Sequence, residues 1–246
     1  LGAIDDEDTG VSNLIVSTSN AVSGGDISFH GVVDIEGYID VDADSTGTTG
    51  DITINADVTA DDANGTDGIN LTADGNIQVS ANLTTTNNGA ALDIVLNAPN
   101  GQIVDNGTAM TIDSDDDIDI DAGTNVTLAA GSSLTADNSV TVDGGGSQGT
   151  NTVTTGIINS GGDGAGNILI GATHADPNFI ALGTMTAAGG FIDVNGHAVT
   201  LLAATANAVD GASIGIDVNA TADVNVNNKL TTTDLLAQAI AINSSG

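Results

Sequence analysis

The chain has 246 residues, 40% of them hydrophobic but only 2% aromatic, and 33 acidic residues against a single basic one give a formal net charge of −32. Such a surface repels nucleic acid and anionic membranes, and it attracts divalent cations or is screened by a saline solvent. The lack of cysteine excludes disulfides, thiolate metal sites and a cysteine nucleophile. Because of this charge, we expect no nucleic-acid partner. We also expect no membrane insertion, because no apolar run approaches the length of a membrane helix.

The first predicted unit is an acidic N-terminal arm at residues 1–10, where Asp5, Asp6, Glu7 and Asp8 follow one another. From residue 11 to residue 246 a different pattern recurs. A polar residue or glycine precedes a short stretch in which apolar and polar residues alternate, as in β-strands with one buried face. Copies of this pattern begin at Gly25, Gly50, Gly68, Leu92, Asp117, Ser139, Gly166, Gly190 and Ala212.

The spacing of these copies, roughly 18 to 27 residues, lies in the range of solenoid repeats. Two or three short strands per repeat, with no helical stretch between them, predict an all-β parallel β-helix of roughly ten coils. Stacked at about 4.8 Å, these coils would form a rod on the order of 50 Å long. The alternative is an antiparallel β-sandwich, which also contains many short strands. The long repeat and the lack of aromatic anchors favour the solenoid.

Residues 144–166 depart from the repeat because they are rich in Gly, Ser, Thr and Asn. We interpret them as an irregular segment within the solenoid, with one weak strand near Val153, Ile157 and Ile158. At the other end of the chain, residues 235–242 are either a last strand or a short helix. The alternation of Ile240 and Ile242 favours the strand.

Two clusters of aspartate are candidate metal ligands. In the first, acidic residues crowd one strand and its approach: Asp113, Asp115, Asp116, Asp117, Asp119 and Asp121. In the second, Asp40, Asp42 and Asp44 repeat the pattern. Like charges two residues apart lie on the same side of a strand and destabilise a sheet unless they are screened or bridged. Ca²⁺ suits such clusters because it takes six to eight oxygen ligands. A solvated acidic face remains the alternative. The candidate Ca²⁺ ligands are therefore Asp115, Asp117, Asp119, Asp121, Asp40 and Asp42, and no other cofactor is expected.

The composition also argues against catalysis. Many β-helix proteins cleave polysaccharides, but a lyase needs a basic residue beside its acidic sugar, and Lys229 is the only one in this chain. A hydrolase needs two carboxylates at a defined separation, and no motif selects such a pair here. The three histidines have no second His or Cys at ligand spacing. We therefore expect no enzyme activity.

The repeats resemble a known class of exported protein. Residues 50–61 (GDITINADVTAD), 74–86 (DGNIQVSANLTTT), 117–143 and 190–203 (GFIDVNGHAVTLLA) look like filamentous-haemagglutinin-type exoproteins and the β-strand-repeat regions of large bacterial surface proteins. The resemblance implies a right-handed parallel β-helix, export, and a role as an adhesin, matrix component or fibre.

From the architecture and this resemblance, we expect an extracellular or cell-surface structural protein. It would be a β-solenoid subunit or segment of a self-associating filament or adhesin, with copies of itself as partners. A Ca²⁺-dependent module that binds surface glycans is the alternative, and a carbohydrate-active enzyme is a third hypothesis.

Overall fold

The computed structural model describes residues 1–5, 13–19, 25–44, 50–61, 68–86, 92–145, 151–161, 166–171, 179–207, 214–233 and 238–245. These residues form β-strands, turns and extended connections, and none of them is helical. In particular, the described residues contain no helix long and apolar enough to cross a membrane.

The strands follow one another in chain order. They are β1 (Ile4–Asp5), β2 (Leu14–Ser19), β3 (Ile27–Phe29), β4 (Val33–Ile35), β5 (Ile39–Asp44), β6 (Ile52–Ile54), β7 (Val58–Ala60), β8 (Ile69–Ala73), β9 (Ile77–Val79), β10 (Leu83–Thr85), β11 (Ile94–Ala98), β12 (Ile103–Asp105), β13 (Thr111–Ser114), β14 (Ile118–Ala122), β15 (Val126–Thr127), β16 (Ser133–Ala136), β17 (Val140–Gly144), β18 (Thr152–Thr155), β19 (Ile157–Ser160), β20 (Ile168–Ile170), β21 (Phe179–Ala187), β22 (Ile192–Gly196), β23 (Ala198–Ala206), β24 (Ile214–Ala220), β25 (Val224–Val226), β26 (Leu230–Thr232) and β27 (Gln238–Ser244).

Each coil contributes to three parallel ladders, which form the three faces of the solenoid. The first face is the ten-stranded sheet β2-β5-β8-β11-β14-β17-β20-β22-β24-β27. The second face runs from β3 through β6, β9, β12, β15 and β18 to β25. The third runs from β1 through β4, β7, β10, β13, β16 and β19 to β26. The long strands β21 and β23 cross the corner between the second and third faces and join their ladders.

The register between coils places similar side chains on top of one another. On the second face Ile27 pairs with Ile52, Ile52 with Ile77, and Ile77 with Ile103. All four are 4% exposed or less. Burying a side chain of this size contributes about 1.5–3 kcal/mol relative to leaving it exposed, and here the burial comes largely from the neighbouring coils. The described ladders are all parallel, which excludes the antiparallel sandwich. Ten strands on the first face, one per coil, confirm the predicted parallel β-helix of roughly ten coils.

Each long strand of the first face has three inward-facing residues, and the third of them is small. Ala98 pairs with Ala122, Ala122 with Gly144, and, further along the rod, Gly196 with Ala220. Ala98 and Ala122 are fully buried, so a methyl group is enough to fill the interior at this edge of the face. Elsewhere the core is built mainly from Ile, Val and Leu, with almost no aromatic side chains.

Polar side chains at the corners connect each coil to the next. The residue just before a strand offers an oxygen to the backbone N–H of its counterpart one coil later. Before the second face, Asp51 Oδ1 accepts the N–H of Asn76 at 2.6 Å, and Asn76 Oδ1 accepts that of Gln102 at 3.2 Å. Before the third face, Asp57 Oδ1 accepts the N–H of Asn82 at 3.0 Å. These hydrogen bonds satisfy backbone donors that the turns leave without a strand partner, which explains the abundance of Asp and Asn at these positions.

Leu202 occupies the corner between the second and third faces in β23, but the two corners before it require glycine. There the connection shortens until a single residue, Gly156, separates β18 from β19, and in β21 the chain turns the corner at Gly183 without leaving the strand. A Cβ atom on Gly183 would collide with the carbonyl oxygen of Gly156, and one on Gly156 would collide with that of Ser132. The tight corner therefore depends on the missing side chain.

The two regions singled out at the level of sequence are only partly described. In the arm at residues 1–10, Ile4 and Asp5 form β1 and pair with β4, while residues 6–10 lie outside the described residues. Between residues 144 and 166, β18 and β19 continue the ladders of the second and third faces. Residues 146–150 and 162–165 lie outside the described residues. The division into an arm and a solenoid with an irregular segment stays a prediction.

Candidate carboxylate site on the first face

The first predicted aspartate cluster divides between a strand and its approach. On β14, Asp119 and Asp121 alternate with the buried Ile118 and Ile120, so their carboxylates project from the outer surface of the first face. Asp117 directly precedes β14 at the corner, and Asp115 lies in the turn between β13 and β14. Periodicity alone therefore explains why only part of the cluster shares one face.

The second predicted cluster lies elsewhere on the same face. Asp40 and Asp42 project outward from β5, and the strands β8 and β11 separate β5 from β14. Three coil spacings amount to roughly 14 Å, too far for one ion to bridge the two clusters. Asp40 Oδ1 instead accepts a hydrogen bond from Asn70 Nδ2 at 3.1 Å, one coil away. The side chain of Asp44 lies outside the described residues.

One group of three carboxylates within the described part of the chain is close enough to share a metal ion. Oxygen atoms of Asp93, Asp116 and Asp117 all lie within 4.8 Å of one another, and we call this group the corner cluster. Asp93 belongs to the preceding coil, and its Oδ1 accepts the backbone N–H of Asp117 at 3.3 Å. Asp117 Oδ1 accepts the N–H of Ser139 at 2.7 Å. The cluster is therefore part of a corner ladder that holds consecutive coils together.

Burial and neighbouring charges act on the corner cluster in the same direction. Burial raises the pKa of Asp93, and the Asp116, Asp117 and Asp119 carboxylates raise it further, although the hydrogen bond from the Asp117 N–H opposes them. Burial likewise raises the pKa of Asp116, and repulsion from Asp117 adds to it, against a hydrogen bond from the side chain of Asn138. Compared with the unfolded chain, the folded protein thus makes these two carboxyls easier to protonate, and a cation beside them would relieve the same repulsion.

A second region of charge repulsion follows the outer surface of β14 and β17. Asp121 stands directly opposite Asp143, which is only 1% exposed. Burial raises the pKa of Asp119, and the carboxylates of Asp121, Asp143 and Asp117 raise it further. Later in the rod Asp217 stands opposite Asp193, whose pKa is also raised, by burial first and by the Asp217 charge second.

Amide side chains form one outward column in the last coils, next to the column that holds Asp193 and Asp217. Asn219 Nδ2 donates to Asn195 Oδ1 at 3.1 Å, and Asn243 Nδ2 donates to Asn219 Oδ1 at 2.8 Å. Asn195 Nδ2 in turn donates to Asp193 Oδ1 at 3.0 Å. An amide both donates and accepts, so a column of Asn stabilises stacking at positions where a column of Asp repels.

A shallow groove adjoins the corner cluster. It crosses three coils of the first face and is lined by Tyr38, Asp40, Asn70, Asp93 and Val95, among others. Tyr38 is the only tyrosine of the chain. The groove combines an aromatic ring, two carboxylates and an amide, which are the groups that contact sugar hydroxyls and sugar ring faces. Because Asp93 belongs to both, a cation held by the corner cluster would lie at the edge of this groove.

Sequence reasoning included Asp117 among the metal ligands but omitted Asp93 and Asp116. Asp116 was recognised as part of the acidic crowd, whereas Asp93 lies 24 residues before Asp117 and looked unrelated. Alignment of the repeats contains the missing signal. Asp93 and Asp117 both stand immediately before the first inward Ile of a strand, and Ile94 pairs with Ile118. Residues at equivalent positions of consecutive coils are spatial neighbours in a solenoid.

The fold and its surface define the class of this molecule as a parallel β-solenoid repeat protein. Comparison with family models, with curated proteins and with solved structures finds no match.

Proposed function

We propose that this chain is an extracellular structural protein, a β-solenoid segment of a self-associating surface filament or adhesin of the filamentous-haemagglutinin-like kind. Its partners would be further copies of itself, and the role requires no catalysis. The chemistry of such a protein is the repeated backbone ladder and the stacked aliphatic core. The backbone ladder of the first face runs from β2 to β27, and the buried core runs from Ile27 to Ala220.

The observation that carries this proposal is the outermost strand of the first face. Ile216 and Val218 in β24 are 0% exposed, whereas their partners in β27, Ile240 and Ile242, are 39% and 46% exposed. The columns of apolar side chains thus continue to a surface that another coil would cover. One edge of β27 also offers backbone groups for a further parallel strand. A coil supplied by a neighbouring copy would lengthen the rod in the same register.

Electron microscopy of the purified protein tests the proposal, with Ile242→Asp as the disrupting variant. Val32→Asp is the matched control, because Val32 is also exposed, at 52%, but precedes a strand on the third face. We expect filaments for the wild type and for Val32→Asp, and dispersed particles for Ile242→Asp. Dispersed monomers for all three proteins would contradict self-association.

We propose Ca²⁺-dependent glycan binding as the second candidate function, and the corner cluster favours it. Three carboxylates at the edge of a groove that contains a tyrosine offer hard oxygen ligands for Ca²⁺, which water and backbone carbonyls would complete to six or more. Binding to the folded state alone would raise the melting temperature.

A calcium titration followed by thermal unfolding tests this second function. We expect Ca²⁺ to raise the melting temperature of the wild type, a chelator to reverse the rise, and Asp116→Asn to abolish it. Asp34→Asn is the control, since Asp34 is exposed on the third face. If both variants responded equally to Ca²⁺, the rise in melting temperature would come from general screening of charge and not from binding at the corner cluster. Filaments that persist in chelator would separate this candidate from the first.

A further inference from the structure

The chain contains five Asn-Gly dipeptides, which begin at Asn64, Asn88, Asn100, Asn106 and Asn195. The first two lie outside the described residues. Such a pair is open to rearrangement, because the backbone nitrogen of glycine, which has no side chain beside it, can attack the carbonyl carbon of the Asn side chain. The three described pairs lie in three different environments, and one of these environments favours the reaction.

Asn106 and Gly107 lie in the turn between β12 and β13, and both are exposed. The backbone N–H of Thr108 donates a hydrogen bond to Asn106 Oδ1 at 3.0 Å. This bond closes an Asx turn, a ring that contains the Asn106 side chain and the following peptide group. Five atoms of the ring, namely Asn106 C, Cα, Cβ and Cγ and Gly107 N, are those of a succinimide. The turn therefore holds the nitrogen near the carbon that it would attack.

A carboxylate contacts the attacking nitrogen. The N–H of Gly107 donates to Asp105 Oδ1 at 2.9 Å, which is within the reach of a general base for the proton that it removes. The other oxygen of this carboxylate, Oδ2, accepts hydrogen bonds from the backbone N–H of Ala129 and, at 3.1 Å, from Ser132 Oγ. Both donors belong to the next coil, so the stacking of coils fixes the position of the base.

We propose that Asn106–Gly107 is a self-modifying site, at which the folded protein converts Asn106 to aspartate and isoaspartate. Asp105 accepts the proton of the Gly107 N–H as the N–Cγ bond forms, and the N–H of Thr108 stabilises the negative charge that develops on Oδ1. Asp105 then passes the proton to Nδ2, the Cγ–Nδ2 bond breaks, and ammonia leaves a succinimide. Water opens this ring at either of its two carbonyl groups. Water can reach the site, because a Cβ atom on Gly107 would meet no atom within 4 Å.

Conversion would change the corner between the second and third faces. Aspartate at position 106 would add a carboxylate next to Asp105, and isoaspartate would also lengthen the main chain of the turn by one atom. Both products would disturb the contacts of Asp105 with Ala129 and Ser132 of the next coil. This chemistry depends neither on self-association nor on Ca²⁺ binding.

Two further Asn-Gly pairs provide controls within the same chain. Asn100 is exposed, but the N–H of Gly101 donates to the backbone carbonyl of Ala98 at 3.1 Å and not to a carboxylate. Asn195 lies in β22, where its Nδ2 donates one hydrogen bond to a carboxylate and its Oδ1 accepts another from the column of amide side chains. Neither pair combines a turn with a base on the attacking nitrogen.

Peptide mapping by mass spectrometry tests the proposal on the purified full chain, incubated either folded or unfolded in urea at the same pH. In urea, the same dipeptide should react at similar rates at all sites. In the folded protein, Asn106 should react at least about tenfold faster than in urea, which is a modest share of what a positioned general base contributes. Asn100 and Asn195 should react more slowly in the folded protein than in urea.

Asp105→Asn removes the base but keeps an oxygen that can accept the Gly107 N–H. Asp34→Asn is the control, since Asp34 is exposed on the third face. We expect Asp105→Asn to lose most of the acceleration at Asn106 and Asp34→Asn to keep it, with thermal unfolding showing that both variants fold. An unchanged rate in folded Asp105→Asn would overturn the proposal. So would a wild type in which Asn106 reacts no faster folded than in urea, a comparison that requires no variant to fold.

Discussion

Replacement of Asp119 by Asn should stabilise the folded protein near neutral pH. Asp119 lies on β14 beside three other carboxylates, those of Asp117, Asp121 and Asp143, and its pKa is raised by burial and by their charges. Asn keeps the size and the hydrogen-bonding capacity of the side chain but removes the charge. The substitution therefore isolates the electrostatic part of the contribution that Asp119 makes to stability.

The magnitude follows from the spacing of a strand. Carboxylates two residues apart, or diagonally opposed, are roughly 7 Å from each other. At that distance one pair of like charges costs about 0.6 kcal/mol in water. Three neighbours give about 2 kcal/mol without salt, and the unfolded chain keeps part of that repulsion. We therefore expect about 1 kcal/mol of added stability at low ionic strength, equivalent to a rise of about 2–4 °C in melting temperature.

The pH dependence has a definite sign. Because the pKa of Asp119 is higher in the folded protein than its ordinary value of 3.8, the folded state binds this proton more tightly than the unfolded chain does. The stabilisation from protonation is complete below the unfolded pKa and is lost as the pH rises through the folded pKa. The wild type should therefore become more stable as the pH falls from 7 towards 4, and the advantage of Asp119→Asn should shrink over the same range.

Thermal unfolding followed by circular dichroism checks these expectations near pH 7 and near pH 4, at low and at high salt. Added salt should reduce the difference between variant and wild type, since the screening length falls to about 3 Å at 1 M. Asp223→Asn is the control, because Asp223 is exposed and precedes β25 on another face. Destabilisation by Asp119→Asn, or an equal gain from Asp223→Asn, would refute the assignment of repulsion to this cluster.

Three further substitutions test the core, the corner and the amide column by urea or thermal unfolding. Ile120→Ala should lower the free energy of unfolding by about 2–5 kcal/mol because Ile120 is fully buried. Thr141→Ala, on the outer surface of the adjacent β17, should lower it little. Similar losses for the two variants would contradict the stacked core. Gly183→Ala should destabilise the rod through its collision with the neighbouring carbonyl, while Gly2→Ala, which meets no atom within 4 Å, should be neutral. Asn219→Ala removes a donor and an acceptor from the amide column and should cost about 1–2 kcal/mol; no loss would mean that the column contributes nothing.

Alternation and repeat length were sufficient to predict the fold class of this chain. In Ile118-Asp119-Ile120 and its counterparts, a period of two places the Ile residues inside and the Asp residues outside, whatever the topology. A repeat longer than the strand spacing of a sandwich, together with the lack of aromatic anchors, then favoured parallel coils. The same alternation correctly favoured a strand over a helix for Ile240 and Ile242, which lie in β27.

Register between coils could not be predicted from local pattern, because consecutive coils differ in length. Ile180 pairs with Val199, 19 residues later, whereas Ile39 pairs with Ile69, 30 residues later. Such variation obscures which polar residues become neighbours, so Asp93 is joined to Asp117 only when the two repeats are aligned on Ile94 and Ile118.

The sequence by itself determined which side of each strand is buried, because that choice depends only on hydrophobic burial and the two-residue period of the strand. The tertiary structure alone decided which carboxylates meet, because their distances depend on the stacking of coils with unequal turns. Asp40 and Asp119 look alike in sequence yet lie three coils apart. Asp93 and Asp117 are 24 residues apart in the sequence yet lie one coil apart and in contact, because each directly precedes its strand at the same corner of the rod.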